Sequence, residues 1–147
     1  MTKDLDKVLG DWFTAWNSHN TQQVIEFYTV DSVFEDIPHR IFCTNKEDLF
    51  KAIDRMFIGI HDIKIEQKNT LISGKLVCSE CIFSGKQMVN TGGPNKPITE
   101  KRFSVPVVYI SEWHDNKIKR HTIYHDQLSV MQQLGLISSM PYAGENV

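Results

Sequence analysis

The residues that could do chemistry lie near the carboxyl end of the chain, where a strand pattern changes into a helix pattern. Positions 117–125 are rich in β-branched and aromatic residues, and apolar residues then recur at helical spacing at Leu128, Met131 and Leu134. Asp126 lies at the changeover, two residues after Tyr124. A carboxylate near a phenol at the end of a strand can exchange protons with a ligand, provided that a pocket surrounds the pair.

The composition limits the classes of protein to which the chain can belong. Its 147 residues predict a single domain over 1–147, and 41% hydrophobic with 23% charged residues is typical of a globular protein with a real core. A net charge of −2 gives no electrostatic attraction for nucleic acid or an anionic membrane. The amino terminus lacks the apolar stretch of a signal peptide and no apolar run could span a bilayer, so we expect a cytoplasmic protein.

The cysteine and histidine patterns predict neither a disulfide framework nor a metal site. Cys78 and Cys81 lie in a β-like run, where residues three apart point to opposite faces and stand about 10 Å apart. His121 and His125 would be about 13 Å apart along a strand, too far to share one ion. The sequence also lacks the glycine loops that bind phosphates or dinucleotides, so no cofactor is predicted.

Three helices and a short strand are predicted in the first 60 residues. The first helix has Thr2 as its cap and an apolar face formed by Leu5, Val8, Leu9, Trp12, Phe13 and Trp16. The second starts at Asn20 or Thr21 and carries Val24, Ile25, Phe27 and Tyr28. A short strand is predicted over 30–37. The third helix begins with a capping box from Thr44 to Glu47 and ends near Gly59.

The chain after His61 predicts four strands, over 63–72, 75–87, 98–113 and 117–125. Ser73-Gly74 and His114-Asp115-Asn116 predict tight hairpin turns, and a longer connection over 90–97 could overhang an edge or a pocket mouth. Helices followed by an antiparallel meander indicate an α+β fold, in which the helices pack on one face of a curved sheet.

Two stretches of the sequence resemble SnoaL-like proteins, which belong with ketosteroid isomerase to the nuclear transport factor 2-like superfamily. One comprises Phe-Thr-Ala-Trp-Asn-Ser-His-Asn over 13–20, then Phe27-Tyr28 and Val-Phe-Glu-Asp over 33–36; the other comprises 115–118, Tyr124-His-Asp126 and 133–135. The resemblance covers nearly the whole chain. It implies a cone-shaped curved antiparallel sheet wrapped around three N-terminal helices, an apolar pocket inside, and a homodimer formed through the outer face of the sheet. The same shell serves isomerases, cyclases, epoxide hydrolases, dehydratases, ligand binders and assembly domains, so it does not select one function.

Asp126 matches the position that serves as the acid/base carboxylate in the polyketide cyclases of this family. Desolvation in an apolar cavity would raise the pKa of such a group toward the range useful for abstracting a proton beside a carbonyl. Strand parity puts Tyr124 on the same face as Asp126 and the adjacent histidines on the other, so Tyr124 is the predicted catalytic partner. Asp126 is equally well placed to cap the following helix, and Tyr124 to pack in a core or at a rim.

The resemblance also implies residues that contact a ligand. Trp12, Trp16 and Asn17 belong to the first helix, and Asp36 and His39 close the short strand. Each has a structural alternative, since aromatic stripes on helices are commonly core, Asn17 can end the helix, and Asp36 and His39 can be turn residues.

Departures from the family patterns narrow the chemistry. Cys81 and Phe83 occupy interior-strand positions that carry Arg and Asp in the related epoxide hydrolases, which disfavours epoxide hydrolysis and makes Phe83 a predicted ligand contact. The tyrosine and protonated acid of ketosteroid isomerases have no clear equivalent, and the usual cyclase histidine is not found between Phe103 and Trp113.

The sequence therefore predicts a domain that binds a small apolar molecule. The leading hypothesis is cofactor-free proton transfer of the isomerase or cyclase type on an apolar carbonyl compound, with Asp126 as general base. The alternative is a non-catalytic ligand carrier or a protein-interaction domain, in which Asp126 only caps a helix.

Overall fold

The computed structural model describes residues 4–88 and 98–138. Within these ranges the elements are α1 Leu5–Asn17, α2 Thr21–Ile25, β1 Tyr28–Asp36, β2 Ile41–Cys43, α3 Lys46–Gly59, β3 Ile60–Ser73, β4 Leu76–Gln87, β5 Arg102–His114, β6 Lys117–His125 and α4 Gln127–Gln133. The six strands form one sheet in the order β2-β1-β6-β5-β4-β3. The predicted α+β fold is confirmed.

The sheet differs from the expected antiparallel meander at one pair of strands. β1 runs parallel to β6, with Asp36 in register with Ile123, and all other pairs are antiparallel. The early strand therefore joins the sheet beside the last one. β2 has only three residues and was not predicted, because so short a segment shows no period.

The helix caps refine the predicted boundaries. Asp4 caps α1 by accepting a hydrogen bond from the Asp6 amide, and Thr2 lies outside the described residues. Asn20 caps α2 as predicted, but that helix ends at Ile25, and Tyr28 begins β1 instead of continuing the helix. α3 starts one residue later than the capping box predicts, because Asn45 is the residue that accepts from the Asp48 amide, at 2.9 Å.

Two tight turns connect the long strands where they were predicted. Gly74 has φ 60° between β3 and β4, and Asp115 and Asn116 have φ 50° and 61° between β5 and β6. These left-handed conformations suit Gly, Asn and Asp. The predicted connection over 90–97 lies outside the described residues.

The core lies between α1 and the inner face of the sheet. β4 and β5 bury alternate residues there, among them Val77, Cys81, Phe83, Val105, Val107 and Tyr109. Trp12 is fully buried, with its ring centroid 5.0–6.4 Å from those of Phe13, Tyr28, Tyr109, Trp113 and His121. Cys78 and Cys81 are free thiols, the first partly exposed and the second buried, as their positions on opposite faces predict. None of the described helices is long and apolar enough to cross a membrane.

Candidate functional site

A cavity of about 610 Å³ lies between α3 and the inner face of the sheet. Its volume falls within the range of small-molecule sites, roughly 300–1,000 Å³. Most of its wall is apolar and includes Trp16, Ile53, Met56, Ile65, Phe83 and Ile123. A largely apolar wall strengthens the polar contacts that a ligand makes where it displaces water.

Asp36 and His39 form a hydrogen-bonded pair on the cavity wall. Asp36 is the last residue of β1 and is buried, and its Oδ2 lies 2.9 Å from His39 Nδ1 while its Oδ1 accepts from the His39 amide at 3.2 Å. The turn between β1 and β2 folds His39 back onto the carboxylate, with Arg40 in the left-handed region at φ 56°. Because Nδ1 donates to a carboxylate, Nε2 of His39 is left to accept a proton.

His125 brings a second imidazole to the same part of the wall. The ring centroids of His39 and His125 are 5.1 Å apart, and His125 Nε2 lies 2.8 Å from the side-chain oxygen of Gln127. An amide oxygen only accepts, so the proton of neutral His125 is on Nε2 and Nδ1 carries the free lone pair. Burial lowers the pKa of His125, and His39 lowers it further, although Gln127, Asp36 and Asp126 act in the opposite direction. His125 is therefore neutral at physiological pH.

Tyr109 adds a phenol to the cavity wall. Ile123 pairs in register with Tyr109 on one side and with Asp36 on the other, so these three residues form a row across β5, β6 and β1. The Tyr109 side chain is buried, and burial is the main cause that raises its pKa well above the ordinary value. Its hydroxyl is a neutral donor at any physiological pH.

His121 lies behind the cavity, within the core. It is fully buried, its Nδ1 is 2.9 Å from the Tyr28 hydroxyl, and its Nε2 has no hydrogen-bond partner among the described residues. The rings of Trp12, Phe34 and Tyr109 surround it, with centroids 5.0–5.3 Å away. Burial lowers the pKa of His121 to about 3, so the imidazole is neutral.

The structure brings four of the residues predicted to contact a ligand to this cavity. They are Trp16, Asp36, His39 and Phe83, which all lie on its wall. Trp12 does not, because its ring is enclosed by the core on every side. Asn17 does not either: its side-chain amide donates to Ile65 O at 3.0 Å and accepts from Ile65 N at 2.7 Å, which ties the end of α1 to β3.

Asp126 and Tyr124 lie away from the cavity wall. Asp126 is exposed, and its carboxylate accepts from the Ser129 amide at 3.0 Å as the cap of α4. Tyr124 is 46% exposed, on the face of β6 opposite to His121 and Ile123. We expected the face that carries Tyr124 to line the pocket, but it is the outer one. The catalytic roles assigned to Asp126 and Tyr124 remain predictions that this geometry does not support.

The inner face of β6 carries the residues that the sequence-based prediction assigned to the other side. His121, Ile123 and His125 occupy every second position on this face. Because two of the three are histidines, the face lacks the apolar alternation that marks a buried strand face in a sequence. Tyr109 follows Val105 and Val107 at every second position of β5. This alternation is visible in the sequence and marks Tyr109 as inward-facing. Among the described residues, no group of three His, Cys, Asp or Glu side chains is arranged to hold a metal ion.

Solved structures with the same architecture share little sequence with this chain. AclR from Streptomyces galilaeus, a proposed hydroxylase, is 16% identical with a TM-score of 0.81, covering 99% of this chain and 90% of its own. IdmH from Streptomyces antibioticus, a proposed polyketide cyclase, is 18% identical with a TM-score of 0.76, covering 90% of this chain and 99% of its own.

A hypothetical protein from Catenulispora acidiphila, solved in complex with trimethylamine, has a ketosteroid isomerase-like fold. It is 20% identical with a TM-score of 0.76, covering 92% of this chain and 98% of its own. These similarities establish the fold alone. No curated protein matches the chain. The model of the SnoaL-like polyketide cyclase family matches residues 7–134, and the chain therefore belongs to this family.

Proposed function

We propose that the chain binds a small apolar carbonyl compound in the cavity and catalyses cofactor-free proton transfer on it, as an isomerase or a cyclase. The observation that carries the proposal is the Asp36–His39 pair on the wall of an otherwise largely apolar cavity. A carboxylate that holds one imidazole nitrogen leaves the other free to act as a general base.

His39 is the proposed base, in place of Asp126. Its side chain is 41% exposed, so a ligand can reach it, whereas that of Asp36 is only 10% exposed and is committed to His39. Nε2 of His39 takes a proton from the carbon next to the carbonyl, and the carbon–hydrogen electron pair moves onto the carbonyl oxygen to form an enolate. Asp36 stabilises the imidazolium that results. Return of the proton to another carbon gives an isomer; attack of the enolate carbon on a second carbonyl gives a ring.

The test is deuterium exchange at the acidic carbon of 2-tetralone in D₂O, followed by proton NMR. The wild-type protein is expected to accelerate the exchange over buffer. His39→Gln is expected to slow the catalysed exchange by roughly 10²-fold or more, since positioned general bases contribute about that much. Native mass spectrometry of the protein taken from a cell extract would identify the natural ligand.

Asp126 supplies the matched control for this experiment. Asp126→Asn keeps a side chain that can cap α4, so both exchange and stability should stay near wild type. Asp126→Ala should lower the free energy of unfolding by about 1 kcal/mol and leave exchange unchanged. Loss of exchange in folded Asp126→Asn, or full exchange in His39→Gln, would contradict the proposal. Binding of 2-tetralone without exchange would indicate a non-catalytic carrier.

We also propose that two copies of the chain associate through the outer face of the sheet. Leu71, Leu76, Ile110 and Tyr124 point outward from β3 to β6 and are 41–72% exposed. A contiguous apolar area of this kind is typical of a surface that a partner covers. The cytoplasmic location remains a prediction from the sequence.

A further inference from the structure

Tyr109 holds a hydrogen-bond donor that no group among the described residues uses. Its hydroxyl forms no hydrogen bond with any of the described residues. The hydroxyl oxygen is nevertheless not fully enclosed by protein atoms. Since the Tyr109 side chain is otherwise buried and lines the cavity, the hydroxyl meets the cavity space. A buried donor without a partner is unfavourable, and an acceptor on a ligand would recover part of that loss.

The position of this hydroxyl is fixed by the core. The Tyr109 ring packs against Trp12, Phe13 and His121, with centroids 6.1, 6.2 and 5.2 Å away. The ring belongs to a central strand, hydrogen-bonded to a neighbour on each side. A donor held in this way needs little reorganisation when a negative charge develops beside it.

Tyr109 and the Asp36–His39 pair face the same space. Their strands are separated only by β6, so the Cα atoms of Tyr109 and Asp36 are two strand spacings apart, about 10 Å. Both side chains line the same cavity, and the Asp36 carboxylate adds to burial, the main cause that raises the pKa of Tyr109. A single ligand of a few rings can therefore contact both.

We infer that Tyr109 donates a hydrogen bond to the carbonyl oxygen of the ligand, and that the substrates are ketones without charge next to the reacting carbon. This inference rests on the proposed function, because the enolate forms at that oxygen when His39 takes the proton. The Tyr109 hydroxyl keeps its proton throughout, and its hydrogen bond strengthens as charge moves onto the ligand oxygen. Tyr109 thereby acts as an oxyanion donor.

The charges around the cavity explain the preference for a neutral ketone. Proton transfer from a neutral ketone creates an imidazolium and an enolate together, so the net charge beside buried Asp36 does not change. A ligand carboxylate there would add a second negative charge beside Asp36, which a medium of low dielectric disfavours. Arg55 also lines the cavity, but its charge is exposed to water and screened.

The test compares 2-tetralone with tetralin, the same skeleton without the carbonyl, in wild type and Tyr109→Phe. The variant should bind 2-tetralone about 3–10-fold more weakly and tetralin equally well, as expected for one neutral hydrogen bond. The infrared carbonyl band of bound ¹³C-labelled 2-tetralone should move to higher wavenumber, and catalysed deuterium exchange should fall by roughly 10-fold or more. Thr14→Val removes an exposed hydroxyl from α1, away from the cavity, and should change none of these quantities.

The outcomes separate this inference from the proposed function. An unchanged carbonyl band in Tyr109→Phe, or an equal loss of affinity for both probes, would overturn the inference even if exchange depends on His39. Conversely, if His39→Gln exchanges at the wild-type rate while Tyr109 still sets the carbonyl band, the role of His39 fails and that of Tyr109 stands. His39→Gln is expected to keep the wild-type carbonyl band.

Discussion

Asp36 and Asp126 show how the surroundings of a carboxylate decide what it can do. Asp36 is buried and hydrogen-bonds the His39 imidazole, whereas Asp126 is exposed and caps the first turn of α4. The prediction that Asp126 caps the terminal helix is confirmed. Its carboxylate is solvated, so the desolvation that would tune it as a base is missing.

His121 makes the stability of the protein depend on pH. Burial lowers its pKa from 6.5 to about 3 in the folded protein, while the unfolded chain keeps the ordinary value. The neutral imidazole therefore stabilises the fold fully above pH 6.5, and this contribution is lost as the pH falls below 6.5 toward 3. Between pH 7 and pH 5 the expected loss is about 2 kcal/mol.

Urea unfolding of wild type and His121→Asn at both pH values measures this loss. The variant is less stable at pH 7, since the Tyr28 hydroxyl loses its partner, but its free energy of unfolding should fall less on going to pH 5. His61→Asn changes an exposed histidine and should keep the wild-type pH dependence. The same pH dependence in His121→Asn as in wild type would contradict the assignment.

At the scale of elements, the contact between β3 and β4 leaves no room for a side chain at Gly85. A Cβ added there would clash with Ile60 Cγ2 and lie 3.2 Å from the His61 carbonyl oxygen. Ile60 begins β3 and also lines the cavity. Gly85 thus permits the close approach of β4 to the start of β3, at the point where α3 leads directly into the sheet.

We expect Gly85→Ala to lower the free energy of unfolding by about 1–3 kcal/mol through overpacking. In an Ile60→Ala background, which removes the clashing methyl, the same change should cost less, and a double-mutant cycle measures the difference. Gly10→Ala is the control, because nothing lies within 4 Å of an added Cβ in α1, and it should stabilise by about 1 kcal/mol. Equal costs of Gly85→Ala in both backgrounds would show that the backbone contact alone matters.

At the scale of the molecule, the two faces of the sheet serve different purposes. The inner face closes the core and the cavity, and the outer face exposes an apolar area around Ile110, which pairs with Cys78 and Thr122 in register. In the proposed dimer, the partner would cover the outer face and leave access to His39 open.

Ile110→Lys is expected to dissociate the proposed dimer, because it buries an unpaired charge in the interface. The mass measured by sedimentation equilibrium should fall from twice the chain mass of 17.0 kDa to the mass of one chain. Thr14→Lys adds the same charge at an exposed position of α1 and should leave the mass unchanged. A monomeric wild-type protein at micromolar concentration would contradict the dimer.

The sequence alone determined the positions of most elements and the fold class. Local signals predict the apolar face of α1, the turns at Gly74 and at Asp115-Asn116, and the cap at Asp126. Each depends on residues close together in the sequence, so the rest of the fold does not change it. Trp16, Asp36 and Phe83 were also placed on the cavity side, from the family resemblance and not from spacing.

Tertiary structure decided which residues meet. The face of β6 that points inward carries His121, Ile123 and His125. Packing against the core selects the buried face of a strand, even where that face has more polar residues than expected. The parallel pairing of β1 with β6 brings His39 to His125, and Asp36 into one row with Tyr109. These contacts join segments far apart in the chain, and no local pattern records which strand becomes the neighbour of which.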